Sequence, residues 1–238
     1  MRACDKSVVL GGNACNSAQI LAQLNHDVYI ISSLSDDREA LWIQSQLSAL
    51  NINTDCCVIK EGFTTPNSSV WLNRQNGSRT IVHYRDLPEL SRQDLSQLDA
   101  SDFDWVHIEG RNISVIADFL AVRSSALATG CCTVSLEIEK PRTGIESLLP
   151  YVNVVIVSSH YLSAIDISPE CCFAQFHRIN PALRIVFTLG SAGLIAYDEQ
   201  GTKHCIAAIP VEHIVDTIGA GDCFIAAWIS ALLKPESF

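Results

Sequence analysis

Several things are scarce in this chain of 238 residues. Charged side chains make up only 18%, and acids outnumber bases 26 to 16, for a formal net charge of −10. A general nucleic-acid or membrane-surface binder needs a basic face, and this balance leaves none to build one. No apolar run is long enough to span a bilayer. The opening Met1-Arg-Ala-Cys-Asp-Lys6 has no apolar signal-peptide core. The chain also lacks C-x-x-C, although it holds ten cysteines. Six of the ten form the adjacent pairs Cys56-Cys57, Cys131-Cys132 and Cys171-Cys172. Neighbours in a strand point to opposite faces, so such pairs do not converge on one metal ion. The cysteines therefore read as reduced, small apolar residues in a cytoplasmic protein. The seven histidines show no metal-ligand spacing either.

A large core is well provided for. Hydrophobic residues make up 48% of the chain, enough for one large domain. Strand-like and helix-like runs alternate. Asp27 to Ser32 is predicted as a strand and Asp36 to Leu50 as an amphipathic helix. Three short β-like runs follow, Asp55–Lys60, Ser68–Asn73 and Arg79–Tyr84, with Asn76-Gly77 as a hairpin turn between the last two. With no helix between them, they predict a small antiparallel flap, serving as a lid or a dimer contact. The alternation then resumes: strands at 104–108, 133–139, 152–157 and 184–189, a helix at 113–127 capped by Asn112, and an edge hairpin at 194–209.

Candidate chemistry gathers at the ends of these runs. Gly11 and Gly12 allow a tight turn before a helix, and Asn13 and Asn16 share one face of its first turn. Two amides on one face suit a polyhydroxylated ligand, although an N-cap role explains Asn13 equally well. Near the other end, Asp216-Thr-Ile-Gly-Ala-Gly-Asp222 runs into an unbroken apolar helix. Unpaired N–H groups of Gly219, Ala220 and Gly221 at a helix start attract anions, phosphate above all. Asp222 beside a phosphate makes sense as a base that deprotonates an attacking hydroxyl. It also reads as an ordinary first-turn acid favoured by the helix dipole. In open α/β sheets ligands bind beyond the carboxyl ends of strands, where Arg111, Glu139, Ser158, Gly190 and the glycine turn are all expected.

The GGN-x-x-N turn, the inserted flap and the terminal DTIGAGD resemble the ribokinase-like sugar-kinase superfamily. Gly11–Ser17, Asn76–Val82, Trp105–Asn112 and Val134–Arg142 are similar to its ketohexokinase branch, and the resemblance runs over nearly the whole chain. It implies one ribokinase-like α/β domain over residues 1–238, a mostly parallel sheet flanked by helices, with residues 55–85 contributing the flap. It implies phosphoryl transfer from ATP to the 1-hydroxyl of a ketohexose such as fructose. Asp222 matches the base and Gly219, Ala220 and Gly221 the anion hole. Gly12, Asn13 and Asn16 match sugar-binding positions. Arg111 matches an arginine on sugar or phosphate. Thr188, Gly190 and Gly193 match a nucleotide-contacting loop. Mg²⁺ would accompany ATP, with Glu139 orienting its waters, and a monovalent cation fits the same resemblance. A homodimer through the flap is expected. Ser158 and Tyr161 stand where much of the superfamily has an N-x-x-E metal motif. Family members begin with a strand carrying a substrate-binding Asp and continue past the glycine turn with further helices. Asp5 lies too close to Gly11 to be that residue, so the chain is expected to be short at both ends. Two alternatives stay open: a kinase for another sugar or a nucleoside, and a non-catalytic sugar-binding or dimerising relative.

Overall fold

The computed structural model describes residues 5–72, 79–122, 132–212 and 217–233. Its centre is a six-stranded sheet. In chain order the strands are β7 (Trp105–Glu109), β8 (Thr133–Ile138), β9 (Val154–Ser158), β10 (Arg184–Thr188), β11 (Leu194–Tyr197) and β12 (Lys203–Ile206). They lie side by side in that same order. The first four are parallel; β11 and β12 add an antiparallel edge.

Parallel strands are covered on both faces, and their sequences read as nearly continuous apolar runs. Alternation along each strand sorts the side chains into two cores. Val134, Leu136, Ile138, Val155, Val157, Ile185 and Phe187 face one way. There they meet Phe119 and Leu120 of α3 (Ile113–Val122), Tyr161 and Leu162 of α4 (Ser159–Ala164) and Phe176 of α5 (Pro169–Ile179). Val154, Ile156, Val186 and Ala196 face the other way, against Ile225 and Ile229 of α6 (Ala220–Leu233) and Leu21 of α1 (Asn13–Gln23). The crossover helix α5 has a defined start. Ser168 caps α5 by accepting from Cys171 N–H, with Pro169 at the first helical position.

The N-terminal part departs from the expected strand pattern. Of the strand predicted at 27–32 only β1 (Val28–Tyr29) forms, and a second short piece, β2 (Ser33–Ser35), follows beyond it. β1 pairs in parallel with β3 (Ile52–Asn53), and β2 in parallel with β4 (Val58–Lys60). Between them α2 (Arg38–Ala49) starts at Asp37, which accepts from Ala40 N–H at 2.8 Å. The segment expected to be the first flap strand is thus tied to β2, and the antiparallel flap consists of β5 (Asn67–Leu72) and β6 (Arg79–Tyr84) alone. The physical reason is local. Asp37 also holds Thr65, accepting from its N–H and hydroxyl at 2.6 Å each, so the chain is anchored to the α2 start before it leaves for the hairpin. The proposed Asn76-Gly77 turn and the end of the helix predicted to run to Leu127 lie outside the described residues. Asn112 does not cap α3 with its side chain. It adopts φ 47°, and its Nδ2 donates to Leu90 O at 2.6 Å.

Gly193 shows how tightly the antiparallel edge is packed. Its φ is 91°, and a Cβ there would sit 2.1 Å from Ile206 O and 2.8 Å from Ala208 N. Gly193→Ala should therefore lower stability by at least about 1–3 kcal/mol, the cost of a side chain at positive φ, with the clash against the edge strand adding to it. Denaturant unfolding checks this, and an unchanged midpoint would refute the packing role.

Candidate active site

The strands deliver a row of polar residues at their carboxyl ends. Glu109 closes β7 and lies directly across from Glu137 in β8. Ser158 closes β9 and is paired with Thr188, the last residue of β10. By alternation Trp105, His107 and Glu109 share a face with Ser135 and Glu137, the face covered by α1 and α6. Ser135 Oγ ties this face together: it accepts from Trp105 Nε1 at 2.8 Å and pairs with His107 Nδ1 at 2.8 Å.

The N-termini of α1 and α6 open on the same row. Asp222 stands in the first turn of α6, buried, and its Oδ2 accepts from Asn16 Nδ2 at 2.7 Å. Ser17 Oγ donates to Asp222 O at 3.2 Å. Gly219, with φ 74°, turns the chain into the helix. Ala220 N–H makes only a long 3.4 Å bond to Thr217 O. The N–H groups of Gly221 and Asp222 find no backbone acceptor among the described residues. That is the donor-rich helix start expected for an anion site. Asp216, at the head of the motif, lies outside the described residues.

Asn13 is not a helix cap. Gly12 is the N-cap of α1, with φ 96° and no side-chain cap bond, and Asn13 Nδ2 instead donates to Glu137 Oε2 at 3.4 Å. Glu109 is fully engaged: Oε1 accepts from Ala14 N–H at 2.8 Å and Oε2 pairs with Arg111 Nε at 2.7 Å. Four acids thus share one site, and the field shows in the titration of Asp222 and Glu137. Burial raises the Asp222 carboxyl above its ordinary range. The Asn16 bond opposes this, and the charges of Glu109 and Glu139 add to it. Burial also lifts Glu137, to about 7; the Asn13 bond pulls it down, and Glu109, Asp222 and Glu139 push it further up.

An open cavity of about 330 Å³ lies over this row. Of the residues named from sequence, Asn13, Glu139, Ser158, Thr188, Gly219, Ala220, Gly221 and Asp222 line it. Arg111 lines a smaller pocket next door, which shares Asn13, Glu137 and Glu139 with the large one. Asn16 reaches the site through Asp222. Gly12, Gly190 and Gly193 line neither cavity, and Gly193 is explained by its contact with the edge strand. Val70 and Ile81, opposite each other on the flap, form a wall of the large cavity. Sequence reasoning assigned no role to them, to Glu109 or to Glu137. The available signal was period-2 alternation, which puts each glutamate on the α1/α6 face of an otherwise apolar strand.

Among the described residues, no group of three or more His, Cys, Asp or Glu side chains could hold a metal ion. Glu139, named as a metal-water partner, is ion-paired with Lys140 at 3.2 Å. No described helix is long and apolar enough to cross a membrane.

Two buried groups set a stability signature. Glu137, raised from 4.5 to about 7 by burial, favours the fold when neutral, so its contribution is full below pH 4.5 and is lost as pH rises to about 7. His107, lowered from 6.5 to about 4 by burial, does the reverse: its contribution is full above pH 6.5 and is lost as pH falls to about 4. Between pH 4.5 and 6.5 the two slopes oppose. Glu137→Gln removes one of them. Relative to native, the variant should gain about 2 kcal/mol of stability across that interval. Denaturant titrations at both pH values check this, and parallel profiles would refute it.

A model of the pfkB family of carbohydrate kinases matches residues 3–238. Ketohexokinase of Mus musculus is 32% identical over 234 residues, covering 95% of this chain and 78% of that protein. Among solved structures, ribokinase from Giardia lamblia superposes with a TM-score of 0.80 at 18% identity, over 93% of this chain and 73% of its own. Arabidopsis thaliana ribokinase, solved with ribose and ATP, gives 0.77 at 22% identity, over 95% and 76%. The fold is thus ribokinase-like, and the chain belongs to the pfkB family of ATP-dependent carbohydrate kinases.

Proposed function

We propose that this chain transfers the γ-phosphoryl group of ATP to the 1-hydroxyl of a ketohexose such as fructose. One observation carries the reading. Asp222 is buried at a donor-rich helix start, with one carboxyl oxygen held by Asn16, on the wall of a cavity that also holds Asn13. A base needs a fixed position and a proton affinity raised above an ordinary carboxylate, and burial gives Asp222 both. Its carboxylate takes the hydroxyl proton as the sugar oxygen forms its bond to phosphorus. The bond from phosphorus to the bridging oxygen breaks, and its electron pair leaves on ADP. The N–H groups of Gly221 and Asp222, at the positive end of α6, stabilise charge on the transferred group. Asn13 and Asn16 hold sugar hydroxyls, and Arg111 meets sugar or phosphate oxygens. The described residues contain no protein cage for a metal, which fits Mg²⁺ carried by the nucleotide phosphates with its own waters. Thr188 lies on the nucleotide side of the cavity in this reading.

Likeness to mouse ketohexokinase favours the ketohexose, and the similarity to ribokinases keeps ribose as the competing substrate. The flap supports a second copy of the chain as partner. Val70 and Ile81 face the cavity, and by alternation Trp71, Val82 and Tyr84 lie on the hairpin's other face, all exposed. Burying that face against its counterpart would cover apolar surface that a two-stranded sheet leaves bare.

ADP release measured with fructose, ribose and adenosine tests the substrate. Fructose-dependent turnover should exceed the others, and Asp222→Asn should reduce it by about 10²–10⁴-fold. Preference for ribose or adenosine would replace the substrate assignment. Turnover indifferent to Asp222→Asn would overturn the mechanism.

A further inference from the structure

The first turn of α1 is held to the sheet at two points. Glu109 accepts the Ala14 backbone N–H at 2.8 Å, and Glu137, its cross-strand neighbour, accepts the Asn13 side chain at 3.4 Å. A carboxylate at a helix N-terminus is favoured by its dipole, which suits the Glu109 contact with the Ala14 N–H. The two contacts differ in consequence. The Glu109 bond fixes backbone. The Glu137 bond fixes an amide that could otherwise turn over, since the two ends of an asparagine side chain are alike in shape and opposite in hydrogen bonding. With Nδ2 given to Oε2 of Glu137, the Asn13 carbonyl Oδ1 is the end left for the cavity. When Glu137 is ionised, the reversed amide would set Oδ1 against a carboxylate oxygen that can only accept.

Asn16 repeats the pattern, giving its own Nδ2 to Asp222 Oδ2 at 2.7 Å. Both amides of the turn are therefore polarised by an acid behind them. Glu137 is buried, is drawn on by neither of the ion pairs beside it, and lines both the large cavity and the smaller pocket around Arg111.

We propose that Glu137 is a positioning residue for the sugar: acting through Asn13, it makes that amide present its carbonyl to a sugar hydroxyl. The inference rests on the sugar-kinase reading and adds a residue to it. A sugar hydroxyl then donates to Asn13, and a substrate without a hydroxyl there leaves a buried acceptor unpaired.

The test is a double-mutant cycle on the full chain. Glu137→Ala should raise the KM for fructose about tenfold, the worth of one well-placed hydrogen bond, with the KM for ATP unchanged. Glu137→Gln should recover most of the loss, because its Oε1 still accepts from Asn13. Asn13→Ala with Glu137→Ala should behave as Asn13→Ala alone. Melting temperatures of the native chain and all four variants accompany the kinetics. An equal Glu137→Ala penalty in the Asn13→Ala background would overturn the proposal. So would a rise in the KM for ATP matching that for fructose, or a loss that tracks the melting temperature. If the native chain turns over no sugar, the kinase reading fails separately. Fructose dissociation constants from calorimetry on the same proteins then decide the Glu137 question by the same comparison. Absence of fructose binding by the native chain would overturn both.

Discussion

The hydrogen bond from Asn16 to Asp222 joins residues 206 positions apart, and the site depends on it. It sets the first helix of the chain against the last, and Ser17 adds a second tie to the backbone of Asp222. Helices placed this way cover the face of the sheet that carries Glu109, Ser135 and Glu137. Without that cover the acids would be solvated, and Asp222 would titrate as an ordinary surface carboxylate. Burial and base strength therefore have the same cause. The apolar contact of Ile225 and Ile229 with Val154, Ile156 and Val186 holds α6 down, and the polar contact with α1 fixes its rotation and register.

A site with four carboxylates needs balancing, and each acid is balanced differently. Glu109 spends both oxygens on fixed donors, Ala14 N–H and Arg111. Glu139 sits partly exposed and pairs with Lys140. Asp222 gives one oxygen to Asn16. Among the described residues Glu137 has only an amide partner, and burial raises its proton affinity. Like charges directly opposite across two strands destabilise a sheet, which is the situation of Glu109 and Glu137.

Much of this was legible beforehand because it is local. The parallel strands announce themselves as apolar runs bounded by turns, and the glycine turn before α6 reads as an anion site from its missing backbone partners. The errors have a physical pattern. Short strands such as β1 to β4 carry too few residues for alternation to show, so the 55–60 run was grouped with its neighbours in sequence. Its true partner, Ser33–Ser35, is remote. Asn112 and Asn13 both looked like caps, since an asparagine before or at a helix start usually is one. Each instead spends its amide on a distant acceptor, Leu90 O and Glu137.

From its own residues the sequence determined the class of fold, and it marked the strand ends and the acid–glycine turn as the candidate ligand and anion sites. These follow from periodicity, from glycine at positive φ and from donors a helix start leaves unpaired. Which acid stands behind which amide was decided only by tertiary structure. Glu109 and Glu137 are 28 residues apart and are set side by side by sheet register; Asn13 and Glu137 are 124 apart and meet only where α1 packs on the sheet. Burial decided the rest: a carboxylate's proton affinity depends on what covers it, and α1 and α6 cover these only once the chain has closed upon itself.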